Sequence, residues 1–219
     1  MLRFARGCKN RLGEKIFKEH LKMATRRNPR FKECRRLGVN VCGNPKALDR
    51  AGDPAFKKTK KTSDYGLHLI EKQKVKAYYN ILENQLRRYF EQATKSKEMT
   101  GVALLVSLET RLDNLVYRLG LASSIRMARQ MVSHKHILVD GKSVNIPSYA
   151  VKVGSTISLT EKARSSEQFK KAFLSDSKAR LPYLERDDDN FCGKLTRLPQ
   201  RAEIPVEIND QMVVEYYSK

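Results

Sequence analysis

The stretch of sequence that decides the fold lies at 110–159 and reads TRLDNLVYRLGLASSIRMARQMVSHKHILVDGKSVNIPSYAVKVGSTISL. Leucines recur every three or four residues in its first part, which predicts a helix that ends at Gly120. A second helix is predicted over about Ser124–Ser133, with Ser123 as its cap. The turn signal Asp140-Gly141 between two short apolar runs then predicts a β-hairpin. Two helices followed by a small β-hairpin unit are therefore expected here.

The flanking sequence is mostly helical in pattern. Apolar residues at helical spacing predict one long amphipathic helix over Glu71–Ala93 and another that begins after Thr100-Gly101 and continues to Gly120. Further strands are expected at Tyr149–Val151, Thr156–Leu159 and, near the end of the chain, Gln211–Tyr217. These patterns together indicate an α+β protein.

The charge balance is strongly basic and unevenly distributed. The 219 residues include 44 Lys+Arg and 24 Asp+Glu, a net charge of +20. Residues 1–62 hold 19 basic and 5 acidic side chains, and residues 110–172 hold 11 and 4. Counterion release from phosphates drives such surfaces onto polyanions, so a nucleic acid is the favoured partner. A basic protein that is merely soluble is the alternative.

A membrane partner is not expected. No run approaches the roughly 20 apolar residues needed to span a bilayer, and no long basic helix has a bulky apolar face for the membrane surface.

Polar residues on the two helices of 110–159 form the first candidate site. Arg111, Asn114 and Arg118 recur at i, i+3 and i+7, so they are expected on one face, away from the leucines. On the next predicted helix, the same spacing is found at Arg126, Arg129 and Ser133. We expect the two faces to converge on one outer surface, where arginine forks suit phosphate oxygens. Further candidates mark the entrance and tip of the hairpin: His134, Lys135, His136 and Lys142.

Acidic residues are scarce in this region, since only Asp113 and Asp140 lie between Arg111 and Lys152. An ordinary solvated face mixes charges of both signs. The scarcity therefore favours RNA binding over two helices with ordinary charged exteriors.

More basic residues precede the hairpin region. The segment 23–62 shows no sustained apolar period, and such an arm is expected to be poorly ordered alone and to fold on its RNA; a plain solvated tail is the alternative. Its candidate RNA-binding residues are Arg26, Arg27, Arg30, Lys32, Arg35, Arg36, Lys57, Lys58, Lys60 and Lys61. On the helix predicted at Glu71–Ala93 the candidates are Lys72, Arg87 and Arg88.

The expected organisation is a helical domain of 63–109, joined by 173–219, with a small RNA-binding domain at 110–172 inserted in it or following it. The RNA-binding domain consists of two helices plus a short β-hairpin sheet, and the basic arm at 23–62 precedes the helical domain. Residues 1–22 form an extension without the apolar stretch of a secretory signal. The mature protein is expected to begin at Met23. An organellar transit peptide is the alternative, against which Glu14 and Glu19 count.

No metal or cofactor is predicted. The four cysteines include no C-x-x-C pair, whereas structural zinc usually takes tight pairs, so reduced cysteines are expected. The acidic run at 187–189 is typical of a solvated turn. Neither a glycine-rich cofactor loop nor a zinc-water constellation is present.

Several motifs resemble the bacterial S-four family of small-subunit ribosomal proteins. RLDNLVYRLG (111–120), SSIRMARQMV (123–132) and HILVDGKSVNIPSY (136–149) are similar to its RNA-binding domain. RRLG (35–38), SDYGL (63–67) and EKQK (71–74) resemble its amino-terminal region, and RLP (197–199) and VEYYSK (214–219) its carboxyl end. The resemblance extends from about Met23 to the last residue.

The chain departs from the family pattern in two places. Some members carry a zinc-binding cysteine cluster near the amino terminus, of which only Cys34 and Cys42 have counterparts here, so a zinc-free form is expected. A Gly-Gln-His-Gly segment found in many members is replaced by AGDPAF (51–56). The pattern fits either the principal member or a paralogue.

The resemblance implies a structural constituent of the small ribosomal subunit that is a primary binder of its rRNA, in the 5′ domain, and helps to nucleate assembly. It also implies contacts with neighbouring small-subunit proteins and with mRNA where that enters, a role in decoding accuracy and, in some members, repression of their own mRNA. A cytoplasmic, ribosome-bound protein of bacterial type is expected, rather than an organellar one.

Two other classes carry similar RNA-binding modules. Pseudouridine synthases, some methyltransferases and tyrosyl-tRNA synthetases would need a separate catalytic domain, for which the segments around 110–172 leave little room. A free-standing RNA-binding factor, such as one that recycles ribosomal complexes, would not need the matched flanking regions. A non-enzymatic ribosomal protein is therefore expected.

Overall fold

The structure, a computed structural model, describes residues 29–49, 63–167, 169, 173 and 181–218. The expectations for the extension, for Arg26 and Arg27 and for the lysines at 57–61 fall outside the described residues. The helices are α1 (Arg30–Leu37), α2 (Asp64–Tyr78), α3 (Glu83–Ala93), α4 (Thr100–Glu109), α5 (Leu112–Arg118), α6 (Ile125–Ser133), α7 (Glu161–Arg164) and α8 (Asp210–Ser218). The strands are β1 (Ile137–Val139), β2 (Lys142–Ser143), β3 (Thr156–Leu159), β4 (Leu184–Asp187) and β5 (Cys192–Leu195).

Two hydrophobic cores organise these elements. The first lies among α2, α3, α4 and α8 and includes Val75, Leu86, Leu105 and Val213. The second lies between the sheet and α5 and α6 and includes Leu115, Val132, Ile157 and Leu195. The leucine periodicity is confirmed, because all five predicted positions are buried: Leu105, Leu108, Leu112, Leu115 and Leu119. The α+β fold class is confirmed as well.

The helix expected over Glu71–Ala93 is wrong as a single element. It is two helices, α2 and α3, separated by a turn in which Asn80 has a φ of +48°. Tyr79 and Ile81, on either side of Asn80, are almost fully buried. The turn lets both side chains enter the core, which a continuous helix would not allow.

The helix expected from Thr100 to Gly120 is also divided, into α4 and α5. The chain between them runs alongside the loop after β2, where Arg111 forms a bridge with Ala150. The backbone N–H of Leu112 donates to the carbonyl of Tyr149 at 2.8 Å. The predicted helix is interrupted here because the N–H of Leu112 donates to the loop and not to a carbonyl of the preceding helical turn. The strand expected at Tyr149–Val151 is, correspondingly, no more than this isolated bridge.

The hairpin prediction is confirmed. Strands β1 and β2 are antiparallel around Asp140-Gly141, whose φ angles of 49° and 77° match a type I′ turn. Strand β3 pairs with β1, and the order across the sheet is β2-β1-β3-β5-β4. The helix before the hairpin, α6, is capped by Ser124, whose side chain accepts from the N–H of Met127, rather than by Ser123.

The region 173–219 does not act as one unit. Strands β4 and β5 extend the sheet, with Gly193 so close to α5 that a Cβ there would collide with the side chain of Leu119. Residues from Ile204 onward instead join the first core. The acidic run at 187–189 begins at the last residue of β4 and continues into the turn before β5, so the expected turn holds its last two residues.

The strand predicted at Gln211–Tyr217 is wrong, because this segment forms α8. Valine and tyrosine favour strands in general, but tertiary context overrides that preference. The side chain of Asn209 accepts from the N–H of Met212 at the start of the helix. Val213 is buried, and Tyr217 packs on Phe90 with ring centroids 4.8 Å apart.

Part of the basic arm is folded on the protein. Helix α1 contacts α2, and Cys34, Leu37 and Ala47 are buried. The described part of the arm is thus a helix and turn packed on α2, and the expectation that the arm folds on its RNA stays a prediction. The few apolar side chains of α1, too sparse to give a periodic pattern, suffice to dock it.

Candidate nucleic-acid interface

A buried carboxylate lies at the junction of the two cores. Glu109, at the end of α4, has no exposed surface. Its Oε1 accepts from Arg118 Nε at 2.6 Å and from the Tyr183 hydroxyl at 2.8 Å. Its Oε2 accepts from the Tyr79 hydroxyl at 2.8 Å. One side chain thus joins α5, the turn after α2 and the chain just before β4.

The titration of these partners reflects the shared carboxylate. Burial alone would lower the pKa of Arg118, but the charge and hydrogen bonds of Glu109 raise it above its ordinary value. Burial and then the charge of Glu109 raise the pKa values of Tyr79 and Tyr183. The arginine therefore stays charged and the phenols stay neutral.

A second buried pair lies beside the first. Arg111 is 1% exposed and donates from Nε and Nη2 to the two oxygens of Asp113, at 3.0 and 2.7 Å. Its Nη1 donates to the Tyr89 hydroxyl at 3.0 Å. Burial alone would lower the pKa of Arg111, but the hydrogen bonds and charge of Asp113 raise it. Asn114 is also buried, and its Nδ2 donates to the backbone carbonyl of Glu109 at 3.0 Å.

The prediction that Arg111, Asn114 and Arg118 form an outer cationic face is wrong. These side chains point into the junction and are neutralised or hydrogen-bonded there. The helical spacing was correct but the face was misassigned, because Glu109 and Asp113 supply carboxylates on the same side. Burying a cation without such a partner would be costly.

Lys72 is a second misassigned cation. It is 4% exposed, lies 3.0 Å from Glu83 Oε1 and packs over the Tyr216 ring at 4.1 Å. Its ammonium group forms an internal ion pair. We therefore assign Lys72 a structural role in place of the predicted RNA contact.

Glu83, at the start of α3, is the acceptor in that cluster. Besides Lys72, it accepts from Lys76 at 2.7 Å and from the Tyr217 hydroxyl at 2.9 Å. Partial burial alone would raise the pKa of Glu83, but these three hydrogen bonds lower it from 4.5 to about 2. The carboxylate therefore links α2, α3 and α8 over a wide pH range.

This lowered pKa predicts a pH-dependent contribution to stability. A carboxylate with a depressed folded-state pKa stabilises the protein above its unfolded-state pKa and loses that contribution as pH falls through the folded value. The wild type is expected to exceed Glu83→Gln in unfolding free energy at neutral pH. The gap should shrink between pH 4.5 and about 2. Urea unfolding at several pH values measures it, with exposed Glu91→Gln as control. A gap that widens on acidification would contradict the assignment.

The remaining described candidates are exposed or half-buried, and they lie on three helices and around the hairpin. Arg30, Lys32 and Arg36 are exposed on α1, whereas Arg35 is half-buried. On α3, Arg87 and Arg88 are exposed. Around α6 and the hairpin, side chains are half-buried at Arg126, Arg129 and His136 and exposed at Ser133, His134, Lys135 and Lys142.

Helices α1 and α6 meet at a small cleft. A cavity of about 30 Å³ is lined by Arg30 and Glu33 from α1 and by Ser124 and Arg126 at the start of α6. The N-terminal end of a helix favours anions, because its first N–H groups lack helical partners. The fold thus brings one cation of the arm and one of the hairpin region to the same place, although they are distant in sequence.

A larger cleft lies between α3 and the loop that precedes β3. Its volume is about 320 Å³, and polar side chains line it: Gln85, Arg88, Tyr89, Gln92, Arg111 and Ser148. Sequence analysis identified Arg88 and Arg111 but neither the amides nor Tyr89. The amides recur at a spacing of seven residues on α3, a signal that is too common on helices to single them out.

Comparison with known proteins covers most of the chain. A family model described as the ribosomal protein S4/S9 N-terminal domain matches residues 25–109, and one described as the S4 domain matches residues 110–157. Small ribosomal subunit protein uS4 of Finegoldia magna is 52% identical over 199 residues, which cover 90% of this chain and 100% of that protein. The chain belongs to the uS4 family.

Other uS4 relatives align over the same share of the chain. Small ribosomal subunit protein uS4B of Clostridium acetobutylicum is 49% identical over 197 residues, and uS4 of Parabacteroides distasonis is 46% identical over 201 residues. Both alignments cover 90% of this chain and 100% of the relative. The resemblance predicted from the motifs is thereby confirmed.

The boundary between the two uS4 family models coincides with the buried carboxylate. The first match ends at residue 109 and the second begins at residue 110. Glu109 and Tyr79 lie in the first match and Arg118 in the second. The hydrogen bonds of Glu109 therefore hold the S4 domain against the N-terminal domain and so orient the exposed cations of each.

Sequence analysis missed Glu109 as the centre of this junction. A single acid at the end of an apolar helix gives no pattern that distinguishes it from a solvated residue. Its partner Tyr183 lies 74 residues away.

Within the part of the chain that is described, no helix is long and apolar enough to cross a membrane.

Proposed function

We propose that this protein is a structural constituent of the small ribosomal subunit and that it binds small-subunit rRNA through the exposed cations of α1, α3 and the β1–β2 hairpin and the half-buried arginines of α6. Membership of the uS4 family is the observation that carries the proposal. The relatives are themselves named as small ribosomal subunit proteins.

The geometry supports a binding surface built from both domains. Arg30 of α1 and Arg126 of α6 line one cleft, while Arg88 of α3 lies in another beside the loop of the S4 domain. RNA that spans both domains would meet cations on each. Arginine suits this role because its planar fork binds two phosphate oxygens at once.

Finer aspects of the proposal rest on the family resemblance. The rRNA site is in the 5′ domain, and binding there early in assembly helps to nucleate the subunit. The protein lies beside other small-subunit proteins and near the path by which mRNA enters, where it supports decoding accuracy. Binding of its own mRNA and location on cytoplasmic ribosomes of bacterial type belong to the same proposal.

Sedimentation tests the proposal against a free-standing RNA-binding factor. Small subunits are purified through a high-salt sucrose cushion, and the protein is quantified by mass spectrometry relative to other small-subunit proteins. A structural constituent is expected at about one copy for each subunit after the wash. A small fraction of one copy, or loss of the protein at high salt, would contradict the proposal.

A further inference from the structure

A cleft at the C-terminal end of α6 carries chemistry that phosphate binding does not use. Its volume is about 250 Å³, and its lining comprises Met127, Gln130, Met131, His134, His136 and Phe169. Thioethers and aromatic rings predominate there, and none of the described lining residues is a lysine or an arginine. Such a lining favours a flat, apolar group over an anion.

The aromatic rings are arranged around the cleft without closing it. The rings of His136 and Phe169 are 5.5 Å apart between centroids and tilted by 53°. Those of His134 and His136 are 6.1 Å apart and tilted by 48°. Since these rings do not stack on one another face to face, a planar ligand can stack against them. Methionine sulfur adds favourable contacts with aromatic rings.

The exposed amide of Gln130 gives the cleft a polar edge. An amide offers both a donor and an acceptor. A ligand that is flat and apolar on its faces, yet has donors and acceptors along one edge, fits this combination. Nucleobases have these properties.

The cleft adjoins the cationic face of the same helix. Met127, Gln130, Met131 and His134 recur at helical spacing, about a third of a turn around α6 from the face of Arg126 and Arg129. An RNA backbone that follows those arginines would pass the mouth of the cleft. The exposed Lys135 lies between the two histidines in sequence.

We infer that this cleft receives one unstacked nucleobase of the RNA that the protein binds, with the base against His136 and Phe169 and its polar edge at Gln130. This inference rests on the proposed function and adds a mode of recognition to it. Proteins commonly recognise bulged or single-stranded RNA by stacking splayed-out bases on aromatic side chains.

A pair of substitutions at His136 tests the inference. Filter binding to a transcript of the 5′ domain of a bacterial small-subunit rRNA measures affinity at several salt concentrations. We expect His136→Ala to lose about 10- to 100-fold in affinity, the scale of one stacked base, and His136→Phe to retain most of it. The slope of affinity against salt should be unchanged in both, because no phosphate contact is removed. Leu198→Ala, which shortens an exposed apolar side chain outside the cleft, is the control and should bind as the wild type does.

Chemical probing of the RNA gives a second readout. One base, reactive in the free transcript, is expected to be protected by the wild type and His136→Phe but exposed with His136→Ala. Thermal melts establish that the variants fold. Equal affinity of folded His136→Ala and the wild type would overturn the inference. So would a shallower salt slope, which would assign His136 to phosphate, or protection that requires other ribosomal proteins. If the wild type does not bind the transcript, the proposed function itself fails.

Discussion

Replacing Glu109 by glutamine is expected to lower the free energy of unfolding by about 3–5 kcal/mol, the usual cost of removing one partner of a buried ion pair. The amide cannot neutralise Arg118, which would remain enclosed at the junction of the two domains. It also cannot accept both tyrosine hydroxyls and two arginine donors as the carboxylate does. Urea unfolding, monitored by circular dichroism, measures the loss.

Two further variants show whether the buried charge is the cause. Asp188→Asn breaks an ion pair with Arg186 in which the aspartate is half exposed, and it should cost much less because solvent screens that pair. Arg118→Met, added to Glu109→Gln, removes the unpaired charge and should recover a large part of the loss. A double variant less stable than Glu109→Gln alone would contradict the assignment.

Replacing Arg126 and Arg129 by glutamine is expected to weaken binding of 5′-domain rRNA by about 100-fold, since each charge-assisted contact contributes roughly a factor of ten or more. The slope of log affinity against log salt should become shallower by about 1.5 to 2, because two phosphate contacts are lost and fewer counterions are released on binding. Titrations of the rRNA transcript at several salt concentrations measure both quantities.

Glutamine is preferred to glutamate because Arg129 Nη1 lies 3.7 Å from Asp113. A glutamate there would face the buried carboxylate of Asp113 and destabilise the fold. A loss of stability could then not be separated from a loss of RNA binding. Arg197→Gln with Arg201→Gln is the control, since it removes the same charge from guanidiniums that lie away from α6, where they pair with Glu203 and Asp210. Equal losses in both pairs of variants would show that net charge, rather than the α6 surface, governs binding.

Local patterns predicted much of the fold correctly. The hairpin followed from Asp140-Gly141, since few residues other than asparagine, aspartate and glycine adopt positive φ readily. The leucine seam followed from spacing, because periodicity reports which face of a helix is buried. The break between α4 and α5 could not be predicted in this way, since it depends on a loop that contacts Leu112 from elsewhere in the chain.

The sequence by itself determined the fold class, the hairpin, the leucine-lined faces that are buried and the uS4 family, since these depend on neighbouring residues and on motifs that can be compared directly. Only the tertiary structure decided which cations face solvent. Arg111 and Arg118 have the same helical spacing and charge as a phosphate-binding pair, yet both are enclosed. The physical reason is that a cation is stable in the interior only beside a carboxylate. Whether Glu109 meets Arg118 and the distant Tyr183 depends on how the two cores pack together.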